Sequence, residues 1–312
     1  MDKITIVGAG RVGESTAQFI AAKDMCREIA LVDINRGAAE GAALDIQEVA
    51  PLFEYDTRLH GGSDSSLMSD SDLVIVTAGL PRKPGMSRED LLSSNISIVD
   101  SIIDDVMHYA PDCLMLFVTN PVDVVTYYAW KKTGWPRNRI FGQAGVLDSS
   151  RMASFIAMET GYSSLDINTM VLGGHGDTMV PMHRYTTIAG IPISNFLGKD
   201  KFDEIVERTR HGGAEILALR QNSSAYDAPA ASVAEMVDAI VHNRKRILPT
   251  VSILEGEYGH EEIAIGVPAV LGKNGMETII LLDMNDEETT MFHNSANIVQ
   301  SQINLLKQIR EL

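Results

Sequence analysis

Residues 4–13 read ITIVGAGRVG, an apolar β-rich run that breaks into Gly8, Gly10 and Gly13 at the spacing G-x-G-x-x-G. This pattern predicts a strand turning sharply into a helix. The glycines permit the tight turn, let a pyrophosphate approach the backbone and let the helix sit close to the sheet, while the helix N-terminus offers unpaired N–H groups to phosphates. Alone the spacing is weak. Twenty residues beyond Gly13, however, the next apolar run, IALV, ends at Asp33, where a carboxylate can accept both hydroxyls of an adenosine ribose. The same charge repels a 2′-phosphate, and Ile34 and Asn35 supply no cation to accept one, although Arg36 is close; NAD is therefore expected over NADP. The plainer alternative is that the glycines only build a turn and Asp33 only caps a helix. Strand, spacing and acid together weigh against it.

Outward from this turn, short apolar runs alternate with longer helical ones: Ile4 to Val7 then Val12 to Lys23, Ile29 to Val32 then Ala38 to Val49, Leu73 to Val76 then Asp90 to Tyr109, Leu114 to Val118 then Val122 to Lys132. Strands of four or five residues between helices of ten or more imply βαβ units and a doubly wound parallel sheet covered on both faces. From Val146 the rhythm changes. A helix is expected near Leu147 to Thr160, strands at Ile167 to Leu172, Thr250 to Glu255 and Glu277 to Leu282, with long helices between. Asp286 to Leu312 opens with acidic residues and spaces Ile298, Ile303, Leu306 and Ile309 helically, so it should pack one face on the second half. The expected domains are 1–143, binding the dinucleotide, and 144–312, a mixed α+β catalytic domain.

With 42 Asp and Glu against 26 Lys and Arg, the 312-residue chain carries a formal charge of −16. A broad affinity for nucleic acid needs a basic surface, which this composition does not provide. Cys26 and Cys113 stand in unlike contexts with no metal-ligand spacing, pointing to two inert buried thiols, no metal site and a reducing compartment. No run of eighteen apolar residues occurs, and a strand is expected from Lys3, so a soluble cytoplasmic protein with no membrane partner is expected. The acidic excess could also reflect a salty habitat.

Against that acidic background, GLPRKPGMSRED (Gly79 to Asp90) sets Arg82, Lys83 and Arg88 within seven residues, a basic loop suited to a small anion. VLGGHGDTMVP rings His175 with Gly173, Gly174 and Gly176, which leaves room for a substrate at the side chain best suited to proton exchange near neutral pH. In VLDSSR, Asp148 and Arg151 stand three apart on an expected helix and share a face. One can orient a histidine while the other grips a carboxylate in a bidentate fork. The bland alternative is a salt bridge on a solvated surface.

The GAGRVG turn, TAGLPRKPGMSREDLL, VTNPVDV, AGVLDSSR, GGHGDTMVP and IGVPAVLGKNG together resemble the lactate and malate dehydrogenase family, most closely its lactate-dehydrogenase-like malate dehydrogenases, over essentially the full length. The resemblance implies a Rossmann domain that binds NAD through Gly8, Gly10, Gly13 and Asp33, with Asn95, Val118 and Asn120 near the cofactor. It implies His175 as acid and base, Asp148 as its orienting partner, Arg151 as the clamp on the C1 carboxylate, Arg88 as the cation polarising the reacting carbonyl, and Asn120 at the substrate oxygen. It further implies that the segment after TAG is a mobile loop closing over the substrate. Its selectivity position is Arg82, where lactate-specific members carry glutamine. A homotetramer, or alternatively a homodimer, is implied too.

Arg82 has a physical rationale. Malate and oxaloacetate carry two carboxylates, so once Arg151 takes one, a second cation must meet the other. At an effective dielectric near 20, opposite charges about 4 Å apart attract by roughly 4 kcal/mol before desolvation is counted. Pyruvate would leave that arginine unpaired. In NSSAYDAPAAS (Asn222 to Ser232), Ala225 suits the larger dicarboxylate, but Asp227 replaces an expected aromatic and is expected to face solvent or a subunit contact. The rival readings are a lactate or other 2-hydroxy-acid dehydrogenase, an NAD-dependent glycosidase, which would need metal-ligating Cys and His, and an NAD-binding sensor or structural protein, which would have no use for His175 beside three arginines.

Overall fold

In the computed structural model, which describes residues 1–80 and 88–310, the first half forms six strands: β1 (Lys3–Val7), β2 (Glu28–Val32), β3 (Arg58–Gly62), β4 (Leu73–Val76), β5 (Leu114–Phe117) and β6 (Ile140–Gln143). Between them run α1 (Arg11–Ala22), α2 (Arg36–Phe53), α3 (Arg88–Tyr109) and α4 (Val122–Thr133). The strands pair in parallel in the order β3-β2-β1-β4-β5-β6. This order reverses between β1 and β4, and in such sheets the ligand crevice opens beyond the carboxyl ends of the strands at that reversal. The GAGRVG turn leaves β1 there.

The second half contains α5 (Gly145–Thr160), the short strands β7 (Ile167–Asn168), β8 (Val171–Leu172), β9 (Val180–Pro181), β10 (Thr187–Ile188) and β11 (Ile191–Pro192), then α6 (Lys199–Arg220), α7 (Asp227–Val241), β12 (Arg246–Glu255), β13 (Glu261–Gly272), β14 (Gly275–Ile279) and α8 (Asp286–Ile309). β12 pairs antiparallel with β6, and β13 and β14 follow, so one nine-stranded sheet runs through both halves. A single large core of buried residues accompanies it, joining Ile4, Ile75 and Tyr127 to Val251, Ile265 and Ile303. A smaller cluster under α5 and α6, including Met152, Ile156, Ile188 and Phe202, belongs to the second half alone.

Several expected elements shift. The run Ile167 to Leu172 is not one strand: β7 joins a three-stranded sheet with β10 and β11, while β8 pairs with β9. The strand expected at Glu277 to Leu282 lies earlier, at β14. Helix α2 continues past Val49 to Phe53, because Pro51 costs the last turn one donor without ending it. On α8, Ile303 and Leu306 are buried but Ile298 is exposed. The buried stripe is Phe292, Ala296, Val299, Ile303 and Leu306, and it touches α3 and α4 as well as β9 and β13, so α8 packs on both halves. Among the described residues no helix is long and apolar enough to cross a membrane.

Candidate active site

Gly8 leaves β1 at φ +106°, a backbone that side chains rarely adopt, and a Cβ there would lie 2.6 Å from the Ala78 nitrogen. A Cβ on Gly13 would collide with the Gly8 carbonyl, so this glycine lets α1 sit on the turn. Gly10, the residue before α1, would meet nothing within 4 Å, which leaves the helix N-terminus open to a ligand. Asp33 braces the turn: its Oδ2 accepts from the Ala9 N–H at 2.8 Å and its Oδ1 from the Asn35 N–H at 2.8 Å. A carboxylate has about four acceptor sites, so capacity remains for two ribose hydroxyls. The residue capping α2 is Asn35, not Asp33. Arg36, the cation nearest to Asp33 in sequence, is paired with Glu40 at 2.6 Å. These residues fit a dinucleotide with a free 2′-hydroxyl.

Beyond β5, the loop residues around Asn120 connect this crevice to the histidine. Val118 is half-buried and its N–H donates to the Val76 carbonyl at 2.9 Å; Asn120 is exposed at the strand end, before a cis bond to Pro121. Asn95 is fully enclosed. Its Nδ2 donates to the carbonyls of Asn120, at 2.7 Å, and Leu80, at 3.2 Å, and its Oδ1 accepts from the Leu80 N–H at 2.7 Å. Asn95 thus uses its whole side chain to pin the start of the basic loop to the Asn120 turn. Arg82 and Lys83 lie outside the described residues, and Arg88 is described only as the first residue of α3.

His175 sits in the loop between β8 and β9, with Gly173 and Gly176 at φ +83° and +104°. Its Nδ1 meets Asp148 Oδ2 at 2.9 Å, and the other oxygen of Asp148 accepts from an Arg151 guanidinium nitrogen at 3.2 Å. Asp148 is 1% exposed, so this is not a solvated surface pair. It occupies the first turn of α5, where a negative charge is favoured. The Arg151 Nε is buried without a hydrogen-bond partner, a donor left over for an anion. Gly212 on α6 makes room for Arg151, since a Cβ there would overlap the arginine's Cδ.

Asp123 was not singled out from the sequence. Buried in the first turn of α4, it accepts from the His175 backbone N–H at 3.0 Å through Oδ2, while its Oδ1 has no partner. Burial pushes its pKa up to about 6, against the lowering effect of the His175 N–H and charge. His175 is therefore held by one carboxylate at its ring and another at its backbone. Burial works to lower the histidine's pKa, but the charge and hydrogen bond of Asp148, with the charge of Asp123, outweigh it and raise the net value. The loop is also anchored by paired backbone bonds between Gly173 and Gly266 of β13, and by the Gly174 N–H donating to Ser295 Oγ at 2.8 Å. Gly266 falls in the IGVPAVLGKNG motif; Ser295 gave no sequence signal beyond its place on α8.

Asp227 begins α7, is exposed, and pairs with Arg220 at 3.0 Å, so it neutralises an arginine rather than opposing an anion. Both cysteines are buried free thiols, with pKa values pushed up to about 12 chiefly by burial. Two open clefts, of about 890 and 590 Å³, lie at the opposite, N-terminal ends of the parallel strands, where Lys3, Glu28, Arg58 and Leu114 begin them. They are remote in the fold from the β1–β4 crevice.

The chain is 64% identical over 307 residues, covering 98% of this chain and all of the relative, to a malate dehydrogenase of Thioalkalivibrio sulfidiphilus. Among solved structures it is similar to malate dehydrogenase from Salinibacter ruber, with a TM-score of 0.95, 42% identity and 99% of each chain covered. It is also similar to a lactate dehydrogenase from Cryptosporidium parvum complexed with lactic acid and nicotinamide adenine dinucleotide, with a TM-score of 0.94, 35% identity and 98% of each chain covered. Residues 2–142 match the model of the lactate/malate dehydrogenase NAD binding domain, and residues 145–309 that of the alpha/beta C-terminal domain. On the strength of these matches over nearly its whole length, the chain belongs to the lactate/malate dehydrogenase family.

Proposed function

We propose that this protein catalyses the reversible, NAD-dependent oxidation of (S)-malate to oxaloacetate. The observation that carries the chemistry is the buried Asp148 carboxylate, shared between the His175 ring and Arg151. Asp148 fixes the ring so that the proton on Nδ1 faces the carboxylate and Nε2 is left for the substrate. In reduction His175 gives a proton to the substrate's carbonyl oxygen; in oxidation, neutral, it takes the hydroxyl proton. Arg151 holds the C1 carboxylate, and Asn120 meets the substrate oxygen from the strand end. Gly8, Gly10, Gly13 and Asp33 hold the cofactor with Asn95 and Val118 beside it, and NAD bound there supplies the hydride acceptor, NADH the hydride. The chain divides in function near 143–144.

The similarity to malate dehydrogenases supports the dicarboxylate, while the similar backbone of a lactate dehydrogenase means that side chains must make the choice. We assign that choice to Arg82, as the cation for the distal carboxylate, and carbonyl polarisation to Arg88. A cytoplasmic homotetramer acting in the tricarboxylic acid cycle accords with this activity. The test is a pair of variants. Arg82→Gln should lower kcat/KM for oxaloacetate strongly, by the roughly 2 to 5 kcal/mol expected when one member of a buried charge pair is removed, and should raise pyruvate turnover. Arg88→Gln should slow both substrates together, mainly in kcat. An unchanged oxaloacetate-to-pyruvate ratio in Arg82→Gln, with a shifted ratio in Arg88→Gln, would reverse the two roles.

A further inference from the structure

The loop that carries His175 is held from two sides. Gly173 exchanges backbone bonds with Gly266 of β13, at 2.9 and 3.1 Å, and the Gly174 N–H donates to Ser295 Oγ of α8 at 2.8 Å. Ser295 is 2% exposed, and a Cβ on Gly173 or Gly174 would stand 2.8 or 3.5 Å from its Oγ. The serine oxygen thus fills the space beside the two glycines that lead into His175. Where the imidazole lies consequently depends on how α8 sits against β13.

A histidine pair joins those two elements. His260 immediately precedes β13, and its Nε2 meets Nδ1 of His293, two residues before Ser295 on α8, at 2.8 Å. Both rings are half-buried, and that of His260 lies 6.0 Å from the ring of the fully buried Phe292. Gly259, at φ +75°, brings the preceding turn so close that a Cβ there would lie 4.0 Å from His293 Cε1. Most charged groups on the surrounding elements have partners of their own. Glu255 and Glu257 pair with Arg137, Glu262 of β13 with Lys131 of α4, Glu288 of α8 with Arg184, and Asp100 of α3 with Lys132. The Tyr258 hydroxyl donates to the Ile280 carbonyl and Lys307 lies by the Tyr127 ring, while Glu261, Asp286 and Glu287 are exposed.

A neutral imidazole has one donor and one acceptor nitrogen, so two of them can share one N–H···N bond. The pair keeps that bond with one extra proton bound. A second makes both facing nitrogens donors and sets two cations side by side. His260 accordingly has its pKa lowered, by burial first and by the charge of His293 second. The bond therefore holds above the ordinary histidine value of about 6.5 and is lost as pH falls through the lowered one.

We infer that Ser295 is a positioning residue for His175, and that the His260–His293 bond is an acid-sensitive clasp holding α8 against β13, and with them Ser295 and Gly266, behind the catalytic loop. This inference rests on the acid–base role proposed above for His175.

The experiment measures kcat for oxaloacetate reduction, and NADH affinity by fluorescence titration, from about pH 8 to about pH 5. Below the pKa of His175 the rate would level off if that group alone governed it. The unmodified protein should instead lose kcat toward the acid end by roughly two- to tenfold, the worth of one ordinary hydrogen bond, with NADH affinity unchanged. In His260→Gln/His293→Asn the amides reach the positions of the facing nitrogens and do not titrate, so neutral kcat should be kept and the acid loss should disappear. Ser295→Ala should lose a similar factor at every pH and show no further acid loss, because the clasp acts through Ser295. No acid loss in the unmodified protein, or one that persists in the amide pair and so belongs to another group such as Asp123, would overturn the clasp. Unchanged kcat in Ser295→Ala would overturn the positioning role. The thermal midpoint is a readout besides turnover: acidification should lower it more in the unmodified protein than in the amide pair. Absence of oxaloacetate turnover in the unmodified protein would remove the function proposed above and the positioning role with it, whereas equal midpoint shifts would remove the clasp whatever the activity.

Discussion

The proton transfer proposed for His175 makes the two directions of the reaction answer oppositely to pH. With its pKa raised above the ordinary value of about 6.5, oxaloacetate reduction should be fast below that pKa and fall as pH rises through it. Malate oxidation should rise over the same interval, because there the imidazole must be neutral. Asp123 contributes to this raised pKa by its charge alone, through no contact with the ring that the sequence could suggest. In Asp123→Asn the inflection of kcat/KM for oxaloacetate should therefore move to lower pH; an inflection that stays put would confine Asp123 to holding the backbone. Among the site residues, His175, Asp148 and Arg151 were legible because each sits in a local pattern with chemical meaning: glycines around a histidine, or an acid and an arginine on one helical face. Asp123 was not, since an aspartate in the first turn of α4 reads as an ordinary helix start, and only the fold brings the His175 N–H to it.

The phosphate turn was the most legible element, because its chemistry is local: strand, glycines and helix follow one another in the chain. Gly13→Ala tests that reading. The added Cβ would collide with the Gly8 carbonyl, so α1 must move off the turn, and NADH affinity should fall by roughly tenfold or more, about 1.4 kcal/mol. Gly10→Ala, with open space around it, should be milder in the folded protein alone but should hinder the ligand; equal, negligible losses for both substitutions would place the cofactor elsewhere. β13 was illegible for the converse reason. Gly266 and Pro268 interrupt its apolar run and read as breakers, yet Pro268 faces Pro249 across the ladder, so both missing donors fall at one rung. β3 escaped notice because RLHGG holds a single large apolar residue, enough for an edge strand that buries Leu59 and Gly62. Long-range pairing supplies what local propensity lacks.

Across the whole molecule, the change of rhythm near Val146 marked two halves, but periodicity carries no information about which strands become neighbours. The pairing of β12 with β6 makes a single sheet and a shared core of what reads as two successive patterns. Unfolding should consequently be one cooperative transition, seen as coincident loss of far-UV and near-UV circular dichroism, despite the separate small cluster beneath α5. Two resolved transitions would mean that the halves hold together less firmly than the sheet implies. The acidic body and the basic loop bear on selectivity at the same scale. A chain with a net charge of −16 must attract a dianion locally, against its overall field, the role proposed for Arg82 and Arg151. The most direct measurement is kcat/KM of the unmodified protein for NADH oxidation with oxaloacetate and with pyruvate, side by side. Oxaloacetate should be favoured by on the order of a hundredfold or more, the discrimination expected when a buried charge is left without its partner; equal rates, or a preference for pyruvate, would contradict the dicarboxylate assignment.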